Sequence, residues 1–191
     1  MVLMVDIPQL PVPLLPLGRE WTVDDLELLP DDGLRYELID GALLVSPSPF
    51  PPHQRAARAF FRLLDALCPA DAEVFFAPLD FQPDQRNSLV PDVLVVRRED
   101  VGPKKIHRPL LLAVEVLSAS SRRRDMLFKR SVYEDAGVAS YWMFDPTEPS
   151  LLACELVDGR YVEKVRATGE GSVHLDRPFP VRLCPAELAV G

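Results

Sequence analysis

The 191-residue sequence has only three cysteines, Cys68, Cys154 and Cys184, widely spaced and in no CxxC pair. That scarcity argues against a disulfide framework and against a thiolate zinc site, and leaves the thiols as small core residues. Long apolar runs are missing too. The longest stretch that invites a membrane reading, Leu110 to Leu117, holds Glu115 and falls well short of the roughly 20 residues a bilayer crossing needs. The N-terminal segment has no basic region ahead of an apolar one, holds Asp6 early and is broken by prolines, so it does not read as a secretory leader. The expectation is a cytoplasmic protein without a membrane partner. Positive charge is also short, with 21 Lys and Arg against 29 Asp and Glu and a net charge of −8. This argues against indiscriminate affinity for nucleic acid, in which phosphate contacts supply most of the binding.

What is present is the composition of an ordinary globular chain, 48% hydrophobic and 26% charged, with the length of one domain. Residues 1 to 18 are proline-rich and read as an extended arm; residues 19 to 191 read as a single domain. The charge is unevenly spread. From Arg97 to Arg130 there are ten basic residues against four acidic ones, whereas from Arg19 to Asp40 two arginines face eight acids. Such segregation permits a local basic face, although two solvated surfaces of opposite sign would look the same in sequence.

Thr22 and Asp25 have capping-box spacing ahead of a short helix to about Leu29. Two β-prone runs flank Asp40-Gly41 and two more flank Asp158-Gly159, both hairpin signals. Between the proline-rich break at 47 to 52 and Cys68, the apolar residues Ala56, Ala59, Phe60, Leu63, Leu64 and Leu67 recur at helical spacing. Strands are expected at Glu73 to Phe81, Leu89 to Val96 and Pro109 to Leu117, the last nearly continuous in apolar residues, as in a strand buried on both faces. A second long helix fits residues 121 to 136, closed by Gly137, and a further strand follows at Ser140 to Asp145. The order implies a mixed α+β (α/β) protein: a mixed β-sheet core flanked by helices, with additional hairpins.

Glu115 interrupts that buried strand, and an unpaired carboxylate in a core costs several kcal/mol unless it is protonated, paired or metal-bound. Asp92 enters a run of valines in the same way. Sequential strands are usually neighbours, so the two acids can converge. Converging carboxylates suit a hard cation, Mg²⁺ or Mn²⁺, that keeps several waters; a buried ion pair with an arginine is the alternative. Asp125 and Lys129, four residues apart, share one face of the second helix, from which Lys129 can reach the end of the preceding strand; a surface ion pair is again the plainer reading.

Taken in order, Tyr36 to Gly41, His53 at a helix start, Pro91 to Val96, Val114 to Ser118, the helix with Asp125, Lys129 and Tyr133, and Gly137 to Asp145 resemble the Uma-two family. Its members are described as restriction-endonuclease-like proteins of the PD-(D/E)XK nuclease superfamily. The likeness spans residues 20 to 146. It implies metal held by Asp92 and Glu115, a further acid in Glu37 and a ligand in the backbone carbonyl of Val116. The superfamily lysine two residues after the glutamate is here Leu117, so the resemblance shifts that role to Lys129. His53, Asp125 and Tyr133 become supporting or substrate-facing residues, although a lone histidine at a helix start is more often a cap or packing group than a ligand. On this reading the protein is a Mg²⁺- or Mn²⁺-dependent endonuclease, with Arg122, Arg123 and Arg124 on the phosphates of a nucleic acid, most simply DNA. Independently, the proline-rich arm and the second hairpin offer edges that a two-fold partner could cover, and a homodimer is expected. The alternatives are a catalytically inactive nuclease-fold module that binds nucleic acid or a partner, which Leu117 favours, and a metal-free paired-carboxylate glycosidase, which gives Lys129 no role.

Overall fold

The computed structural model describes residues 19–46, 49–118 and 125–190. The arm at 1 to 18 and Arg122, Arg123 and Arg124 lie outside the described residues, as does the side chain of Asp125.

The chain starts with α1 (Val23–Leu26), where Asp25 accepts the backbone N–H of Thr22 at 2.8 Å. The hairpin of β1 (Arg35–Ile39) and β2 (Ala42–Ser46) follows. It turns where expected: Asp40 and Gly41 both have positive φ, 53° and 77°. Two successive left-handed residues make the turn whose twist matches paired strands, and Asp-Gly adopts it at little steric cost. The long helix α2 (Pro51–Leu67) has prolines in its first turn, where their missing N–H groups are not needed. It buries Ala56, Ala57, Phe60 and Leu64.

Next come β3 (Ala72–Phe76), β4 (Phe81–Asp84), β5 (Asn87–Leu89), β6 (Val93–Arg97) and β7 (Leu112–Val116). The single strand expected over Glu73 to Phe81 is therefore two: Pro78 has no N–H to give a ladder, and Phe81 opens β4 in another sheet. The strand expected from Pro109 begins at Leu112. After β7, a π-helical turn (Asp125–Lys129) leads into α3 (Arg130–Asp135), the described part of the helix expected over 121 to 136. Then follow β8 (Ser140–Asp145), β9 (Ser150–Val157) and β10 (Arg160–Thr168), the last two joined at Asp158-Gly159 as expected. The paired β11 (Val173–Leu175) and β12 (Val181–Leu183) and the closing helix α4 (Pro185–Val190) had no clear signal in the sequence.

Six strands form the main sheet in the order β10-β9-β8-β7-β6-β3; a four-stranded sheet runs β2-β1-β5-β4. In the main sheet β7 and β8 are parallel and the other neighbours antiparallel. Alternation along β6 and β7 sends Val93, Val95, Leu112, Val114 and Val116 toward Phe60 and Leu64 of α2. Leu94, Val96, Ala113 and Leu117 go to the opposite face, with Tyr133 and Tyr141. Glu115 shares that second face by parity. Cys154 and Cys184 are buried and Cys68 half-buried, and all three are free thiols. Among the described residues no helix is long and apolar enough to cross a membrane.

Phe60 is fully buried and lies 5.2 Å from the Phe144 ring and 6.3 Å from Trp142, centroid to centroid. Phe60→Ala is expected to lower the unfolding free energy by about 3–5 kcal/mol, the usual cost of emptying a buried aromatic site, as measured by urea denaturation.

Candidate active site

The register of β6 and β7 pairs Val93 with Val114 antiparallel. One step along, Asp92 stands opposite Glu115, and residues directly opposite share a face. The convergence expected of the two acids is thus built into the strand pairing. Both are buried, at 3% and 2% exposure. Asp92 extends the ladder beyond its last backbone pair, since its Oδ2 accepts the N–H of Val116 at 2.8 Å.

Three further groups close on these acids. From β1, alternation puts Arg35 and Glu37 on the same face. Arg35 Nη1 reaches Asp92 Oδ1 at 3.3 Å, and Glu37 Oε1 accepts the backbone N–H of Val90 at 2.9 Å. From the start of α2, His53 Nε2 lies 3.0 Å from Asp92 Oδ2. A carboxylate only accepts, so Nε2 carries the hydrogen of that bond. From the helix after β7, Lys129 and Tyr133 are one turn apart and both face inward. The Lys129 ammonium sits between two acids, 2.8 Å from Glu37 Oε1 and 3.0 Å from Glu115 Oε1, while the Tyr133 hydroxyl donates to Glu115 Oε1 at 2.7 Å. Leu127 and Phe128, from the same π-helical turn, are exposed. A π-helical turn carries an extra residue and re-aims the side chains after it, a device common at functional sites.

The electrostatics follow from these contacts. Burial pushes the Asp92 carboxyl up, but the His53 hydrogen bond and the positive charges of His53, Lys129 and Arg35 outweigh it and hold the group below its usual range. Burial works against the charge on Arg35 as well, yet the carboxylates of Asp92, Glu37 and Glu115 hold the guanidinium above its ordinary value. Burial, with the adjacent Glu115 charge, raises the Tyr133 hydroxyl well above its ordinary value, so it remains a donor. By formal count the cluster gathers three acids, Glu37, Asp92 and Glu115, around the two bases Arg35 and Lys129.

The structure therefore gathers Asp92, Glu115, Glu37, Lys129, His53 and Tyr133, all named from the sequence. It also adds Arg35, which sequence reasoning had counted only as surface charge. Its spacing of two residues from Glu37 in a strand was the available signal. Leu117, in the usual lysine position, packs in the second core cluster. Among the described residues no group of three or more His, Cys, Asp or Glu side chains is arranged to hold a metal. Glu37 is committed to Lys129 and the Val90 N–H. The other two acids are engaged as well, Asp92 by the Val116 N–H, His53 and Arg35 and Glu115 by Lys129 and Tyr133, so a hard cation drawn to these oxygen donors would compete with those partners.

The mixed β-sheet flanked by helices, with Asp92 and Glu115 facing each other across two central strands, is restriction-endonuclease-like in architecture. The structure is similar to the crystal structure of a "putative nuclease belonging to DUF820" from Anabaena variabilis ATCC 29413, with a TM-score of 0.70, 17% identity, and coverage of 88% of this chain and 97% of that one. The family model Uma2, described as "Putative restriction endonuclease", matches residues 23–190. The chain belongs to this family, the Uma-two family of the sequence resemblance, whose description is that of a nuclease. No curated protein matches it in sequence.

Lys129→Met leaves two buried carboxylates facing each other without their cation. Its expected effect is a loss of about 3–5 kcal/mol in stability, the range seen when one partner of a buried ion pair is removed, read from urea unfolding at neutral pH.

Proposed function

We propose that the protein is a metal-dependent endonuclease that hydrolyses phosphodiester bonds of nucleic acid, with DNA as the substrate and Mg²⁺ or Mn²⁺ as the cofactor. The observation that carries this reading is the buried Lys129 ammonium held against Glu115, which itself stands opposite Asp92 across the β6/β7 pair. It supports the shift of the lysine role from position 117 to the helix.

In this reading Asp92 and Glu115 hold the metal, with the Val116 carbonyl as a backbone ligand and Glu37 as the third acid of the set. When bound, the ion supplies an acidified water and neutralises charge on the phosphoryl group. Arg35 and His53 fix the Asp92 carboxylate, the one by charge and the other by a directed hydrogen bond, so that it needs little reorganisation as charge develops. Glu37 anchors the Lys129 ammonium while leaving it beside Glu115, where it orients the attacking water or meets negative charge forming on the phosphate. Tyr133 fixes Glu115 by donating to the oxygen that Lys129 also contacts. Asp125 stands four residues before Lys129 and is assigned a supporting role. Arg122, Arg123 and Arg124 are assigned to the flanking phosphates.

The proposal includes a two-fold homodimer. It is supported by the open edge of β10, the end strand of the main sheet, where Val162 is 45% exposed, and by the prevalence of closed dimers. Light scattering on a sizing column tests this point.

The functional test is cleavage of plasmid and oligonucleotide DNA with Mn²⁺ or Mg²⁺. Activity is expected to vanish in EDTA and to fall by about 10²-fold or more in Glu115→Gln and Lys129→Ala, the usual effect of removing a group that stabilises transition-state charge. Mn²⁺ is expected to raise the melting temperature of the wild type, as a ligand of the folded state does, and to leave that of Asp92→Asn unmoved. Equal cleavage by wild type and both active-site variants would rule the mechanism out. No cleavage and no Mn²⁺ shift would instead favour an inactive nuclease-fold module.

A further inference from the structure

Beside the acid cluster opens a cavity of about 650 Å³, within the size range of sites that take a small organic ligand. Asp92, His53, Arg35, Arg55 and Arg58 line it, as do Phe61 and Phe76. The strand register explains why aromatics meet the site here. Phe76 pairs with Val93 across β3 and β6, and the next residue, Ala77, donates its N–H to the Asp92 carbonyl at 3.1 Å. Phe76 is thus one position from the residue opposite Asp92, on the face toward α2. There its ring packs edge-on against Phe61, with centroids 4.8 Å apart and planes at 69°. It is nevertheless 58% exposed and lines the cavity, so the ring is accessible from it.

The electrostatics of the cavity select an anion with an aromatic part. Three arginines, Arg35, Arg55 and Arg58, line it against one acid, Asp92, and α2 points its N-terminus at it. No acid stands in the first turn of that helix to neutralise the positive end of its dipole. A cation-lined groove with a bare aromatic face is the recognition chemistry of unpaired nucleotides, whose phosphates take the arginines and whose base takes the ring. A duplex cannot use the ring, because its bases hide their faces in the stack.

We infer that this cavity is a subsite for an unpaired nucleotide next to the scissile phosphate, with its base against Phe76 and its phosphate between Arg35 and Arg55, which makes single-stranded nucleic acid, or a frayed or flapped end, the preferred substrate. This rests on the nuclease reading for its placement relative to the scissile bond.

The probes are a fluorescein-labelled single-stranded oligonucleotide and a hairpin duplex of the same sequence, with anisotropy measured in EDTA so that nothing is cut. The wild type binds the single strand more tightly. Phe76→Ala weakens that binding by about tenfold or more, in line with the loss of one stacked base, and leaves duplex binding unchanged. Phe76→Leu keeps an apolar contact with Phe61 but has no ring face, and it weakens single-strand binding as alanine does, whereas Phe76→Trp retains it. Unaltered single-strand affinity in folded Phe76→Ala and Phe76→Leu, or an equal loss for both probes, overturns the subsite. Mn²⁺-dependent cleavage by wild type and by Glu115→Gln, run in parallel, separates the two ideas. Cleavage that needs Glu115 but ignores Phe76 leaves the nuclease and removes the subsite. Phe76-dependent binding without any cleavage leaves the subsite and removes the nuclease, and neither signal removes both.

Discussion

Lys129 is the point on which the described structure converges. Its ammonium is buried at 2% exposure between Glu37, from the smaller sheet, and Glu115, from the main sheet, while its backbone belongs to the helix that follows β7. One cation therefore ties together three separate parts of the fold. A charge this deep is tolerated only when its partners are in place, and the partners only when the cation is. The two sheets and the helix are thus required to meet in one arrangement.

That interdependence is what a catalytic site needs. Asp92 is fixed from three directions, by the Val116 N–H, His53 and Arg35, and Glu115 is fixed by Lys129 and Tyr133. Groups locked by burial and hydrogen bonds stay in place when charge develops, and such preorganisation is where most electrostatic catalysis originates. In the proposed reading, a divalent cation held by Asp92 and Glu115 would add positive charge where the phosphate is to bind.

Much of this was legible in the sequence because the clues were violations of pattern. Glu115 and Asp92 stood out as acids inside apolar strands, and their directly opposed placement follows from the pairing of consecutive strands. The Asp-Gly hairpins were legible because only a few residues accept two successive left-handed conformations. The amphipathic period of α2 was likewise plain. Other features were hidden for physical reasons. β4 and β5 are four and three residues long, too short to show a period, and they join the sheet through the pairing of β5 with β1, which is a long-range contact. Arg35 looked like any surface arginine, because only the fold brings β1 against the end of β6. The grouping of Glu37 with Lys129, 92 positions away in sequence, came from resemblance and not from any local signal. Phe76 gave no sign of its exposure, since a phenylalanine in a β-prone run ordinarily reads as core.

The central claim is that Asp92 and Glu115 form the metal site, with Lys129 beside it. The most direct test is a crystal soaked in Mn²⁺ and measured for anomalous scattering. The account predicts one strong peak at the Asp92 and Glu115 carboxylates, which would hold the ion, with the Lys129 ammonium adjacent. Mn²⁺ bound elsewhere, or an empty Asp92–Glu115 pair at Mn²⁺ concentrations that support DNA cleavage, would contradict it.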